Sequence, residues 1–215
     1  MSARVASPAG VIKFLHLIEK LKRTPRTGWI KREVAAPESI SDHMHRMGVM
    51  AMLVDDPELD RSRCIKMAIV HDIAESIVGD ITPHCGVSNE DKHAMERHAI
   101  NQLCSQLYSN EDVTTTTSNN SRREGDGEMI AVVEEIRELW NEYEEGATGE
   151  AKLVKDIDKF EMIVQAMEYE KSDGKDLSEF FESTKGKFRH PQIKAWAEAL
   201  YAERAEYQHQ QQQQQ

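Results

Sequence analysis

The chain has 215 residues, 38 acidic and 27 basic side chains, and a formal net charge of −11. An acidic domain repels a polyphosphate backbone, which argues against a nucleic-acid polymer as its main partner. The length suits one globular domain with its own core. Three cysteines, an odd number without CxxC spacing, predict neither a disulfide framework nor a zinc knuckle.

The distribution of apolar residues predicts no membrane-spanning helix. The longest apolar run covers residues 49–54 and is far below the roughly 20 residues that a spanning helix needs. Residues 1–10 also lack the charged and apolar pattern of a signal peptide. We therefore expect no membrane partner and a cytoplasmic location, with the nucleus as the alternative.

Apolar residues recur at three- and four-residue steps along most of the chain, which predicts amphipathic helices. The predicted helices span residues 11–22, 39–54, 60–79, 88–107, 129–143 and 149–170, with a last helix after Pro191. No segment alternates apolar and polar residues over a useful length. The sequence therefore predicts an all-α fold, a single helical bundle of about seven or eight helices.

The domain organisation follows from composition. Residues 1–10 are expected to form an N-terminal tail and residues 11–207 one domain. Within it, residues 109–128 are polar and rich in threonine and asparagine, which predicts a mobile insertion loop. Residues 208–215 are nearly all glutamine and are expected to form a disordered tail.

The first candidate site residues are His71 and Asp72, in an otherwise apolar part of the predicted central helix. A buried carboxylate is costly unless it is paired or bound to a metal, and neutral imidazole is the commonest metal ligand. Glu75 lies about one turn further on, and Asp80 follows the helix end. For an isolated pair, a hydrogen-bonded core histidine beside a capped aspartate remains the alternative.

Two residues on other helices extend this pattern. His43 lies on an earlier predicted helix, and Asp158 lies among apolar positions of the long helix 149–170. A carboxylate in such surroundings also needs a positive partner. The sequence thus predicts that two imidazoles and two carboxylates converge from three helices.

The order His43, His71-Asp72 and Asp158 resembles the HD-domain superfamily of metal-dependent phosphohydrolases. From about residue 11 to about residue 205, the chain resembles the 5′-deoxynucleotidase family within it, in its eukaryotic branch (the HD-domain-containing protein 2 type). The motifs that carry this resemblance are KRTPRTGW at 22–29, ESISDHM at 38–44, AIVHDIAE at 68–75, VGDITP at 78–83 and EAKLVKDIDK at 150–159.

The resemblance implies hydrolysis of deoxyribonucleoside 5′-monophosphates to a deoxynucleoside and phosphate by metal-activated water. The implied metal ligands are His43, His71, Asp72 and Asp158. Mixed imidazole and carboxylate ligands suit a divalent ion such as Mn²⁺, Co²⁺, Fe²⁺ or Mg²⁺, and the sequence does not choose among them. The implied partners are a small nucleoside monophosphate and a second copy of the chain in a homodimer.

Catalytic roles also follow from the resemblance, with alternatives left open. Glu75 is the candidate that orients the attacking water or accepts its proton. Asp80 is the candidate contact for the sugar hydroxyl or the leaving 5′-oxygen. Alternatively, Glu75 and Asp80 join the backbone carbonyl of Ile81 in holding a second divalent ion.

The resemblance also implies that Arg23 binds the phosphate, and a guanidinium offers the two-pronged donor geometry that phosphate favours. Thr24 follows it, where bacterial members of the family carry a tryptophan. Arg26 and Lys155 are further candidate cations near the phosphate.

The alternative functions belong to two classes. One is another HD-type phosphohydrolase that acts on a cyclic nucleotide or a nucleoside triphosphate. The other is a module that binds a metal or nucleotide without turnover.

Overall fold

A computed structural model describes residues 7–82, 85–107 and 126–213, and within these ranges the protein contains helices and no β-strand. This part of the chain confirms the predicted all-α fold. The helices are α1 (Pro8–Ile18), a 3₁₀ helix (Glu19–Lys22), α2 (Thr27–Ile30), α3 (Ile40–Leu53), α4 (Arg61–Val70), α5 (Glu75–Val78), α6 (Asn89–Gln106), α7 (Asp126–Glu145), α8 (Gly149–Asp173), α9 (Ser178–Thr184) and α10 (Pro191–Gln213).

Helices α3, α4 and α8 form the centre of the bundle, and each packs against the other two. Their shared core contains the fully buried Met47, Met67 and Ile157, one from each helix. Burying such a side chain contributes about 1.5–3 kcal/mol. A second apolar cluster joins α3 to α1, α6 and α7 through Ile40 and Met44. Helix α3 is therefore held on two sides.

Side-chain caps determine where the central helices begin. Ser39 accepts a hydrogen bond from the backbone of Asp42, and Asp42 accepts one from the backbone of Ser39, which forms a capping box at the start of α3. Asp60 caps α4, and Thr148 caps α8. These caps fix the first turns of the three helices that carry the candidate ligands.

The predicted continuous helix over residues 60–79 is wrong in one respect that affects the site. Helix α4 ends at Val70, and α5 begins only at Glu75. Between them, the backbone makes tighter three-residue hydrogen bonds, such as that from Glu75 N–H to the Asp72 carbonyl. His71 consequently lies at the C-terminal end of α4.

The ends of the chain also differ from the expectation. Helix α1 begins at Pro8 after the cap Ser7, so residues 8–10 are helical. Helix α10 extends to Gln213, so most of the expected glutamine tail is helical, in keeping with the good helix propensity of glutamine. Residues 1–6 and 214–215 lie outside the described residues.

The predicted loop at residues 109–128 is shorter at its C-terminal end, because α7 already begins at Asp126. Residues 109–125 lie outside the described part of the chain.

Short helices α2, α5 and α9, of four to seven residues, were not predicted separately. None of the helices in the described ranges has the length and apolar composition needed to cross a bilayer.

Candidate active site

The structure brings His43, His71 and Asp72 together, as the sequence predicts. One ligand atom from each lies within 4.8 Å of the other two. The Nε2 atom of His71 lies 3.1 Å from Oδ2 of Asp72, and the Nε2 atom of His43 lies 3.9 Å from the same oxygen. These groups come from α3 and from the turn that ends α4.

Asp158 on α8 joins this cluster through His43. Its Oδ1 atom lies 3.3 Å from Nε2 of His43, and its Oδ2 atom accepts a 2.9 Å hydrogen bond from the hydroxyl of Tyr143. The ring of Tyr143 also packs 4.8 Å from the ring of His71. All four predicted ligands therefore form one cluster, which we call the His-Asp cluster.

The hydrogen bonds of the two histidines define which nitrogen faces this cluster. Nδ1 of His71 lies 2.9 Å from the carbonyl oxygen of Ala68, and Nδ1 of His43 lies 2.5 Å from Oε2 of Glu161. Carbonyl and carboxylate oxygens accept hydrogen bonds, so Nδ1 carries the hydrogen in both rings. In the neutral rings, each Nε2 then directs a lone pair at the cluster.

Both Nε2 atoms are buried and make no hydrogen bond. Unpaired buried polar atoms are rare and costly. Two imidazole nitrogens that face carboxylate oxygens form a donor set typical of a divalent metal site. The residues present therefore fit the metal that the sequence predicts.

The electrostatics of the cluster also favour a cation. Although burial raises it, His71 and Arg26 hold the pKa of Asp72 well below its usual range. Burial and Arg26 lower the pKa of His43, but the carboxylates of Asp158 and Glu161 outweigh them and raise it to about 9. Without a metal, the carboxylates therefore draw a proton onto His43.

Arg26, and not Arg23, is the arginine that reaches the cluster. Its Nη1 atom lies 3.3 Å from Oδ2 of Asp72, and its side chain is 16% exposed. The side chain of Arg23 is 80% exposed and pairs with Glu19 one turn earlier. The structure thus places Arg23 away from the cluster. The residue that follows the arginine of the cluster is therefore Thr27, which comes after Arg26, and not Thr24.

Asp80 lies beside Arg26 because the chain folds back after α5. Gly79 adopts a positive φ of 76°, a conformation that favours glycine. Asp80 Oδ2 then accepts a 2.6 Å hydrogen bond from the backbone N–H of Thr27, and the hydroxyl of Thr27 donates to the Asp80 carbonyl. Because Thr27 directly follows Arg26, these two hydrogen bonds hold Asp80 close to Arg26.

Glu75 is buried at the start of α5, and its Oε2 atom has no hydrogen-bond partner. Burial, followed by the charges of Asp72 and Asp80, raises its pKa well above the usual range of a carboxyl group. The raised pKa makes Glu75 a better proton acceptor than an exposed carboxylate.

A cavity of about 300 Å³ opens beside Arg26 and Asp80. Its walls include the aromatic rings of Trp29 and Phe180, whose centroids lie 4.6 Å apart, and the side chain of Met162. The lining is thus largely apolar, and it also includes three cationic side chains and two carboxylates, those of Arg26, Lys31, Arg32, Asp80 and Glu179.

The sequence interpretation missed Tyr143 and Glu161, which contact Asp158 and His43. Glu161 is a fully buried acid three residues after Asp158 on α8, and that position within an apolar helix was the available signal. The amine of Lys155 lies 4.1 Å from the Tyr143 ring centroid. Ile81 is buried next to Asp80.

A helical bundle that gathers two histidines and two aspartates in this order defines the class of HD-domain proteins. The family model described as HD domain matches residues 18–199, so the chain belongs to this family.

Individual relatives narrow the comparison. The chain is 45% identical over 205 residues to 5′-deoxynucleotidase hdd1 of Schizosaccharomyces pombe, covering 94% of each protein. It is 44% identical over 197 residues to human 5′-deoxynucleotidase HDDC2, covering 91% of this chain and 86% of the human protein. Among solved structures, protein PH0347 of Pyrococcus horikoshii is 32% identical, with a TM-score of 0.66, and covers 89% of this chain and 96% of its own.

Proposed function

We propose that this protein is a divalent-metal-dependent 5′-deoxynucleotidase, which hydrolyses deoxyribonucleoside 5′-monophosphates to a deoxynucleoside and phosphate. The observation that carries the proposal is the pair of buried, unpartnered histidine Nε2 atoms that face Asp72 beside Arg26. The relatives named 5′-deoxynucleotidase, similar over nearly the whole chain, support the choice of substrate.

His43, His71, Asp72 and Asp158 would hold the ion, with Mn²⁺, Co²⁺, Fe²⁺ and Mg²⁺ as the candidates. A bound divalent ion lowers the pKa of a water molecule and neutralises phosphate oxygens. Arg26 binds the phosphate group, because its buried guanidinium offers paired donors next to the cluster. This role replaces the one that the family resemblance implied for Arg23.

Glu75 handles the proton of the reaction. Hydrolysis removes a proton from water and delivers one to the leaving 5′-oxygen, and a carboxyl group with a raised pKa is suited to both steps. Asp80, held by Thr27, contacts a sugar hydroxyl. A second ion bound by Glu75, Asp80 and the carbonyl of Ile81 stays a prediction.

Glu75→Gln is expected to lower kcat for dAMP by about 10²–10⁴-fold with little change in KM, because the amide keeps the shape and cannot transfer the proton. Steady-state kinetics and metal analysis measure the effect. Glu96→Gln, a buried glutamate on α6, is the matched control and should retain activity. Unchanged kcat in Glu75→Gln contradicts the proton role, and loss of one of two bound ions favours the second-ion alternative.

The cavity beside Arg26 and Asp80 receives the nucleoside. Its apolar walls and volume suit a base and sugar whose phosphate lies beside Arg26. Phe180 is partly exposed there and offers a ring edge or face to the base. Aromatic contact with a base contributes about 1–3 kcal/mol.

Phe180→Ala is therefore expected to lower kcat/KM for dAMP by about 5–150-fold. The same variant should leave hydrolysis of 2-deoxyribose 5-phosphate, which lacks the base, within about twofold of wild type. Met95→Ala, an exposed apolar position elsewhere, serves as the control. Equal losses on both substrates contradict base binding in this cavity.

A substrate panel tests the proposal against its alternatives. With Mn²⁺ or Co²⁺ present, phosphate release from dAMP is expected to exceed that from AMP, and cyclic AMP and dATP should remain intact. Turnover of a cyclic nucleotide or a triphosphate in place of dAMP favours another HD-type phosphohydrolase. Nucleotide binding without hydrolysis favours the non-catalytic module. The homodimer and the cytoplasmic location stay predictions of the sequence.

A further inference from the structure

We propose that Glu161, held by Arg46, is a positioning residue that fixes His43 in the tautomer and orientation needed to bind metal. The inference rests on the proposed function only in taking His43 as a metal ligand. His43 and Glu161 both have completely buried side chains, and Nδ1 of His43 lies 2.5 Å from Oε2 of Glu161. The hydrogen bond therefore acts on the nitrogen opposite the one that faces Asp158.

Arg46 secures the other oxygen of the same carboxylate. Its Nε and Nη2 atoms lie 2.7 Å and 2.6 Å from Oε1 of Glu161. The guanidinium is anchored in turn by Glu168, at 2.7 Å, and by Gln165. Glu161 thus has one oxygen for His43 and one for Arg46, which leaves it little freedom to rotate.

The two central helices build this arrangement from neighbouring turns. Arg46 lies three residues after His43 on α3, and Glu161 lies three residues after Asp158 on α8. Residues three apart on a helix share a face. His43 thus contacts α8 on both sides of its ring, through Nδ1 with Glu161 and through Nε2 with Asp158. The same turns of α3 and α8 carry both contacts.

A carboxylate on the distal nitrogen of a metal-binding histidine sets its tautomer and raises its basicity. Burying that carboxylate without a partner is costly, and Arg46 offsets this cost. The structure thus gives Glu161 and Arg46 distinct parts, since one contacts the ligand and the other keeps the carboxylate in place.

A metal site formed by Glu38, His43 and Glu161 is the competing interpretation, since their ligand atoms also lie within 4.8 Å of one another. Arg46 already occupies Oε1 of Glu161, and Oε1 of Glu38 accepts a 2.9 Å hydrogen bond from Trp29. The presence of a guanidinium at this point opposes a second cation. Positioning of His43 therefore accounts for the contacts better.

The test is the affinity of the metal-stripped full chain for Co²⁺. Calorimetry and the visible absorption of the bound ion measure this affinity. Glu161→Gln is expected to weaken binding by about 10–100-fold. Glu168→Gln is the matched control, because it contacts the same Arg46 and not His43, and it should bind Co²⁺ within about twofold of wild type. Thermal unfolding of the stripped proteins shows that both variants are folded.

Arg46→Lys provides a second variant if Glu161→Gln does not fold. It keeps a positive charge but loses the two-pronged contact, so we expect Co²⁺ binding weaker than wild type. Wild-type affinity in Glu161→Gln, or an equal loss in Glu168→Gln, overturns the inference. Co²⁺ binding by the wild type without phosphate release overturns the nucleotidase proposal alone, whereas a wild type that binds no metal overturns both.

Discussion

Arg26→Ala is expected to lower kcat/KM for dAMP by about 10²–10³-fold, because the guanidinium that stabilises the phosphate charge is lost from a largely buried site. Arg23→Ala should change kcat/KM by less than about twofold, since that side chain is exposed and pairs with Glu19. The two arginines are three residues apart, so each variant is the control for the other. Steady-state kinetics with purified, metal-loaded proteins measure both effects.

The reverse result, a large loss in Arg23→Ala and a small one in Arg26→Ala, would contradict the phosphate assignment. A rise in KM with an unchanged kcat in Arg26→Ala would restrict the role of Arg26 to binding the substrate. Equal large losses would show that both arginines contact the phosphate.

Asp72→Asn is expected to abolish metal-dependent hydrolysis, with a loss of at least about 10³-fold, because Asp72 is the carboxylate that both histidines and Arg26 approach. The amide matches the size of the carboxylate, so the fold should be retained. Phosphate release and Co²⁺ titration on the same preparation separate loss of the ion from loss of turnover.

Asp55→Asn is the control for Asp72→Asn, since Asp55 is a carboxylate with a side chain that is 94% exposed. It should retain full activity. More than a tenth of wild-type turnover in Asp72→Asn would place the essential ligands elsewhere, whatever the metal titration shows.

The convergence of these side chains was predictable from sequence because each is an ionisable residue at or near apolar helical positions. The pattern marked His43, His71, Asp72 and Asp158 as candidates, and the resemblance to HD-domain proteins assigned them as metal ligands. The same pattern held for Glu75. Burial makes an unpaired charge expensive, so such positions carry a signal that a single sequence retains.

The choice between Arg23 and Arg26 was not predictable in the same way. Both residues are arginines within one short polar segment, and their difference arises from the chain's path. The 3₁₀ helix ends before Arg23, whereas the backbone of Arg26 is held by a 3.0 Å hydrogen bond to the Glu38 carbonyl and turns toward Asp72. That contact joins residues 12 positions apart, so local spacing does not reveal it.

Tyr143 and Glu161 were missed for a related reason. Their importance lies in hydrogen bonds to Asp158 and His43, which depend on the packing of α7 and α3 against α8. The break between α4 and α5 is similar, because apolar periodicity runs through residues 60–78 and does not register the tight turns at 71–74. Tertiary packing determines these contacts and this helix break, and the local sequence pattern does not reveal them.

The most direct test of the central claim is phosphate release from dAMP by the wild-type protein before and after metal removal. The proposal predicts that a chelator abolishes release and that Mn²⁺ or Co²⁺ restores it, with dAMP hydrolysed faster than AMP. Release that persists in the chelator-treated protein, or that no divalent ion restores, would contradict a metal-dependent deoxynucleotidase built on His43, His71, Asp72 and Asp158.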